Sequence, residues 1–149
     1  MDAHATSRTV VLVSQEGNEH PVDIEVARVS GLGRQLLDDD GGITEIRLTG
    51  VSSAVLGKVI EFCTHYVQVE EMPHIDFPIV PPVIMVELVP EWYADFINLS
   101  LDELRELIRA AHQMHIKPLV DLIYAIIYKS THDFDYVDWS AYFAAVVHP

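Results

Sequence analysis

Between Leu119 and Tyr128 every residue except Asp121 is apolar or aromatic. At 3.6 residues per turn such a run leaves a helix almost no polar side to turn toward water. It must be covered all round, by the rest of the chain or by a partner. Pro118 suits its first turn, where the missing amide proton would have had no intrahelical acceptor. The fold therefore has to assemble other elements around a helix at 119–129.

The preceding helix starts at Ser100. Ser100 and Glu103 form a capping box, each side chain serving an orphan amide of the other, and Leu99 with Leu104 supplies the hydrophobic staple. Leu104, Leu107, Ile108 and Ala111 carry this helix to about Met114. Upstream, Val55, Leu56, Val59, Ile60 and Cys63 recur at three- and four-residue spacing, a helix from Ser52 to about Tyr66 that covers a sheet. The sheet begins with a hairpin: a β-branched run Thr9 to Ser14, a turn at 15–18, and a second strand Glu19 to Ile24. Pro21 cannot donate to a ladder, so it belongs at an edge. Glu25 to Arg28 reads as a helical turn, and Ser30 caps a short helix bearing Leu32, Leu36 and Leu37, weakened by Gly31 and Gly33. Glu45 to Thr49 is a third strand, with Ile46 and Leu48 expected on opposite faces. Prolines at 73, 78, 81, 82 and 90 make 67–89 a long loop or insertion.

The 149 residues include 23 Asp and Glu against 9 Lys and Arg, a formal charge of −14. That field repels phosphate backbones and anionic lipid, so neither nucleic acid nor membrane is an expected partner. Cys63 is the single cysteine and the start of the chain has no apolar signal core, which points to a reducing, intracellular setting. Cys63 lies on an apolar helix face and reads as a small buried hydrophobe. His112 and His115 have no third ligand in sequence and read as an exposed interface pair. Gly31-x-Gly33 lacks the dinucleotide fingerprint, and Asp38-Asp39-Asp40 lacks the calcium-loop pattern. No catalytic constellation or cofactor motif stands out, so neither an enzyme nor a bound cofactor is expected.

Several segments together are similar to one family. Leu12, Ser14, Gly17, Val22, Asp23 and Val26-Ala27 resemble its strand, turn, strand and helix opening. The helix VLGKVIEFCTH, Val55 to His65, resembles its central helix. The stretch VPEWYADFINLSLDELRELIRAAHQMHIKPLVDL, Val89 to Leu122, resembles its Pro-x-Trp segment, acidic-aromatic helix, Ala-Ala turn and Ile-Lys-Pro-Leu. The family is that of the S-phase-kinase-associated (SKP) proteins and Elongin C, and the resemblance runs from about Val11 to Thr131.

The resemblance implies an α+β BTB/POZ fold, a small N-terminal sheet covered by helices with a helical C-terminal region. It also implies a non-catalytic adaptor that links a cullin-type scaffold to an F-box-type substrate receptor, in cytoplasm and nucleus. The expected layout, all one domain, is an N-terminal half at 1–66, the proline-rich insertion at 67–89, a helical region at 90–130 and a divergent aromatic tail at 131–149. The cullin-like face is expected at His112 and Gln113, where the family has an Asn-Tyr pair. The receptor-like face is expected at Pro118, Leu119, Tyr124, Ile127 and Tyr128, with Trp139, Tyr142 and Phe143 from a tail that does not match the family. These aromatic residues are equally read as core packing on one another. Phe77 to Leu88 resembles a segment of Elongin C, so an Elongin-C-like adaptor for a box-helix receptor is the alternative, beside a divergent assembly subunit with no cullin role.

Overall fold

The computed structural model describes residues 8–77, 79 and 83–131. They divide into two compact units, one of 8–71 with 113–116 and the other of 72–112 with 117–131.

The first unit holds a three-stranded sheet of order β2-β1-β3. β1 (Thr9–Val13) and β2 (Glu19–Asp23) form the expected hairpin, with Gly17 in the left-handed conformation at the turn, φ 89°. Pro21 opposes Val11, whose own amide is donated the other way, to the Thr44 carbonyl. Pro21 therefore directs its proton-less nitrogen to the open edge, where no ladder bond is lost. β3 (Glu45–Arg47) runs parallel to β1, a pairing that needs a crossover. The hairpin strand and two helices, α1 (Ile24–Ala27) and α2 (Gly31–Asp39), supply it. Beyond the strand, Leu48 is buried like Ile46, while Arg47 between them is exposed. The expectation of opposite faces is thus corrected: a period of two puts residues i and i+2 on the same side.

Three side chains start the helices of this unit. Asp23 accepts from Glu25 N–H before α1, Ser30 from Gly33 N–H before α2, and Ser52 from Val55 N–H before α3 (Ser53–Gln68). The core joins the sheet face to these helices: Leu12, Val26, Ile46, Leu48, Val59 and Cys63 line one small interior cleft. Gly33 is required by close approach, since a Cβ there would stand 2.3 Å from the Ala27 carbonyl oxygen. The glycine that weakens α2 locally is what lets α2 fold back on α1.

The second unit is helical. Met72, Ile75, Ile79 and Val83 bury apolar side chains along an irregular stretch, which ends in one turn of helix, α4 (Met85–Leu88). α5 (Glu91–Phe96) follows Pro90, and its Trp92 stacks on Phe96 with ring centroids 5.1 Å apart. α6 (Leu101–Met114) begins in this unit, and its last two residues belong to the first. Its capping box is complete: Glu103 N–H donates to Ser100 Oγ at 3.2 Å, and Ser100 N–H to Glu103 Oε1 at 3.1 Å. α7 (Lys117–Thr131) is the helix expected at 119–129, longer by two residues at each end, with Pro118 in its first turn. No helix of the described residues is long and apolar enough to cross a membrane.

Candidate partner-binding surfaces

α7 sorts its apolar residues into two sides. Leu119, Leu122, Ile123 and Ala125 are completely buried and Ile127 nearly so. Val120, Tyr124 and Tyr128, each four residues after the last, are half-exposed and make a stripe along the helix. Of the residues expected on the receptor-like face, Pro118, Tyr124 and Tyr128 thus reach the surface, whereas Leu119 and Ile127 lie in the core. Trp139, Tyr142 and Phe143 fall outside the described residues.

The stripe is held from its polar ends. Tyr124 Oη lies 2.9 Å from His112 Nε2, which ties α7 to α6 within the second unit. Burial raises the Tyr124 phenol above its ordinary value, and the Asp121 charge raises it further, so the hydroxyl keeps its proton at neutral pH. Asp121 is the one buried charged side chain of α7, and Lys117 meets it at 2.9 Å, one turn earlier. Asp121, which a sequence reading passes over as the exception in an apolar run, is thus a buried charge held by Lys117 and close enough to bear on the Tyr124 phenol. Its i, i+4 spacing from Lys117 was the available signal.

Of the expected cullin-like pair, His112 and Gln113 are both exposed, and each is engaged differently. His112 bonds Tyr124, and Gln113 Nε2 donates to the Thr49 carbonyl at 2.8 Å. His115 leaves the helix in the left-handed region, φ 57°, and its carbonyl accepts from Gly31 N–H. Among the described residues no group of three His, Cys, Asp or Glu side chains stands together to hold a metal. Cys63 is buried, and desolvation pushes its thiol up to about 12, which leaves it inert as a nucleophile at neutral pH.

Comparison with known proteins agrees with this architecture. The family model described as "Skp1 family, tetramerisation domain" matches residues 8–68, from just before β1 to the end of α3. Curated relatives extend the match into the helical unit. The E3 ubiquitin ligase complex SCF subunit sconC of Aspergillus terreus is 34% identical over 119 residues, covering 79% of this chain and 72% of that protein. The S-phase kinase-associated protein 1 homolog of Tetrahymena thermophila is 34% identical over 117 residues, 78% of this chain and 69% of its own. SKP1-like protein 1 of rice, Oryza sativa subsp. japonica, is 31% identical over 129 residues, 82% and 75% respectively. With the sheet, the central helix and the α6–α7 pair all in place, this chain belongs to the Skp1 family.

Proposed function

We propose that this protein is a non-catalytic adaptor that joins a cullin-type scaffold to an F-box-type receptor in an SCF-like ubiquitin ligase, acting in cytoplasm and nucleus. The observation that carries the reading is the extent of the likeness to proteins named as SCF subunits, which covers about three quarters of this chain. The half-exposed stripe of Tyr124 and Tyr128 supports a receptor-facing role for α7, with Pro118 at its start and Leu119 and Ile127 beneath it as packing. Aromatic side chains at the centre of a patch carry most of an interface's energy when desolvated. Trp139, Tyr142 and Phe143 of the tail are assigned to the same face on their sequence alone. His112 and Gln113 are assigned to the cullin side.

Size-exclusion chromatography of the full chain with a cullin N-terminal region and an F-box peptide tests the reading. One peak containing all three is expected. Failure of either partner to co-elute at micromolar concentration, with Elongin B or a box-helix receptor retained instead, would replace it with the Elongin-C-like alternative. Tyr124→Ala is expected to weaken the receptor by about tenfold or more.

A further inference from the structure

α6 ends against the first turn of α2, and Ser30 makes the junction. The last carbonyls of a helix have no partner further along their own chain and must be met from outside. Here Ser30 Oγ donates to the Met114 carbonyl at 2.5 Å, across 84 residues of sequence, while accepting from Gly33 N–H at 3.0 Å. Gly31 N–H, the first amide of α2, donates to the His115 carbonyl at 2.8 Å. The positive end of α2 thus meets the negative end of α6.

Three further features fix the same turn. His115 is a non-glycine residue at φ 57°, a conformation that persists only where the surroundings over-determine it. Gly31 is required, because a Cβ there would lie 2.9 Å from the His115 Cβ and 3.0 Å from its carbonyl oxygen. On the other side Gln113 is held through its side-chain amide to Thr49. Ser30 itself is buried, 5% exposed, so no partner touches it. A hydroxyl has one proton, and here it is committed to Met114. Alanine loses both bonds, and threonine keeps both.

We propose that Ser30 is a positioning residue for the scaffold-facing surface: by holding the Met114 carbonyl it fixes the turn of α6 that presents Gln113. This rests on the assignment of Gln113 to the cullin side. Contact surfaces lose affinity when the elements that pre-order them are loosened, even where the contacting side chains are unchanged.

The test titrates the full chain with a purified cullin N-terminal region and, separately, with an F-box peptide. Ser30→Ala is expected to weaken cullin binding about threefold to tenfold. It should change F-box affinity by less than about twofold, and Ser30→Thr should restore the wild-type value. In the unaltered protein, exchange of the Gly31 amide should slow when cullin is bound. Wild-type cullin affinity in Ser30→Ala, alongside a loss in Gln113→Ala, would overturn the role of Ser30 and leave the surface assignment standing. An equal loss toward both partners would overturn it too, as a general loss of fold. If Ser30→Ala does not fold, an unchanged Gly31 exchange rate on cullin saturation overturns it. If Gln113→Ala and His112→Ala both bind cullin normally, the surface assignment itself falls.

Discussion

The two units are held by different means. In the sheet-bearing unit, polar side chains bond across long stretches of sequence: Ser30 to Met114, Gln113 to Thr49, Asn18 and Ser14 to Ser53, and Arg8 to the carbonyls of Gly41 and Ile43. In the helical unit the side-chain bonds described span less sequence: Ser100 with Glu103 and Lys117 with Asp121 lie within one turn, and His112 with Tyr124 joins consecutive helices. Its core is built of close-packed side chains such as Tyr93, Leu107, Ile108, Leu122 and Ile123, all essentially inaccessible. Directional bonds specify one arrangement, whereas apolar packing tolerates repacking so long as volume is kept. The contrast bears on Gln113, held in the sheet-bearing unit, and on Tyr124 and Tyr128 of the helical unit, although His112, also assigned to the scaffold side, belongs to the helical unit. A surface meeting one scaffold gains from being fixed, and a surface that accommodates different receptors gains from adaptable apolar and aromatic contacts.

The largest expected effect comes from the helical unit. Ile123→Ala removes a completely buried side chain from the core-facing side of α7 and should lower stability by about 2–5 kcal/mol in denaturant titration. Ile123→Leu, which keeps the volume, should cost less than about 1.5 kcal/mol. Equal losses for the two would mean that shape decides here, and the contrast between the units would fail. In the other unit Ser53 is the corresponding target. Its Oγ accepts from Asn18 Nδ2 at 2.7 Å, meets His20 Nε2 at 3.2 Å and donates to Ser14 Oγ at 2.9 Å. Ser53→Ala is expected to cost about 1–2 kcal/mol although almost no volume is lost. An unchanged midpoint would show that the network is ornamental to stability.

What could be read from the sequence follows the same division. The capping box, the face of α3 and the hairpin about Gly17 were legible because each rests on residues within one or two turns of one another. Leu56, Val59 and Cys63 of α3 need nothing beyond their own spacing to be placed inside, whereas Phe62, buried with them, is absent from the stripe that spacing gives. The parallel pairing of β1 with β3, the Ser30–Met114 bond and the demand for Gly31 and Gly33 were not legible, since each depends on a backbone far off in sequence. Sequence spacing made these glycines a local weakness, and only the approach of Ala27 and His115 makes them necessary. On α7 the difficulty was different. A helix apolar all round has no preferred side, so Leu119 and Ile127 were grouped with Tyr124 and Tyr128, from which the fold separates them. The turn of helix at α4 was hidden by the prolines before it.

A smaller effect is expected at the start of α6. Ser100→Ala removes the acceptor of the Glu103 amide and one of the two donors to the Glu103 carboxylate, and should lower stability by about 1 kcal/mol. Because this bond is local, the loss should appear in the helical unit alone, read as faster amide exchange in the first turn of α6. Equal loss of protection at Gly31 and Gly33 would mean that the two units unfold together.

The smallest expected effect concerns Glu16, and its sign follows from linkage. Its carboxylate accepts from Ser53 N–H at 2.9 Å, at the positive end of α3. That bond is the main reason its pKa lies below the ordinary value, helped by its own backbone amide against a small burial penalty, with Ser14 and His20 adding less. A carboxyl group with a depressed folded pKa stabilises the native state above its unfolded pKa, about 4.3, and the contribution is lost as pH falls through the lower folded value. The difference in stability between wild type and Glu16→Gln should therefore be present at pH 7 and shrink toward zero below about pH 4. The group is fully exposed, so raising salt should shrink the difference at pH 7 as well. The comparison of units is sharpened if Asp121→Asn, in the helical unit, proves insensitive to salt, because its partner is reached from a buried position. A Glu16→Gln difference that grows on acidification would reverse the sign and remove Glu16 from the bonds that fix the sheet-bearing unit.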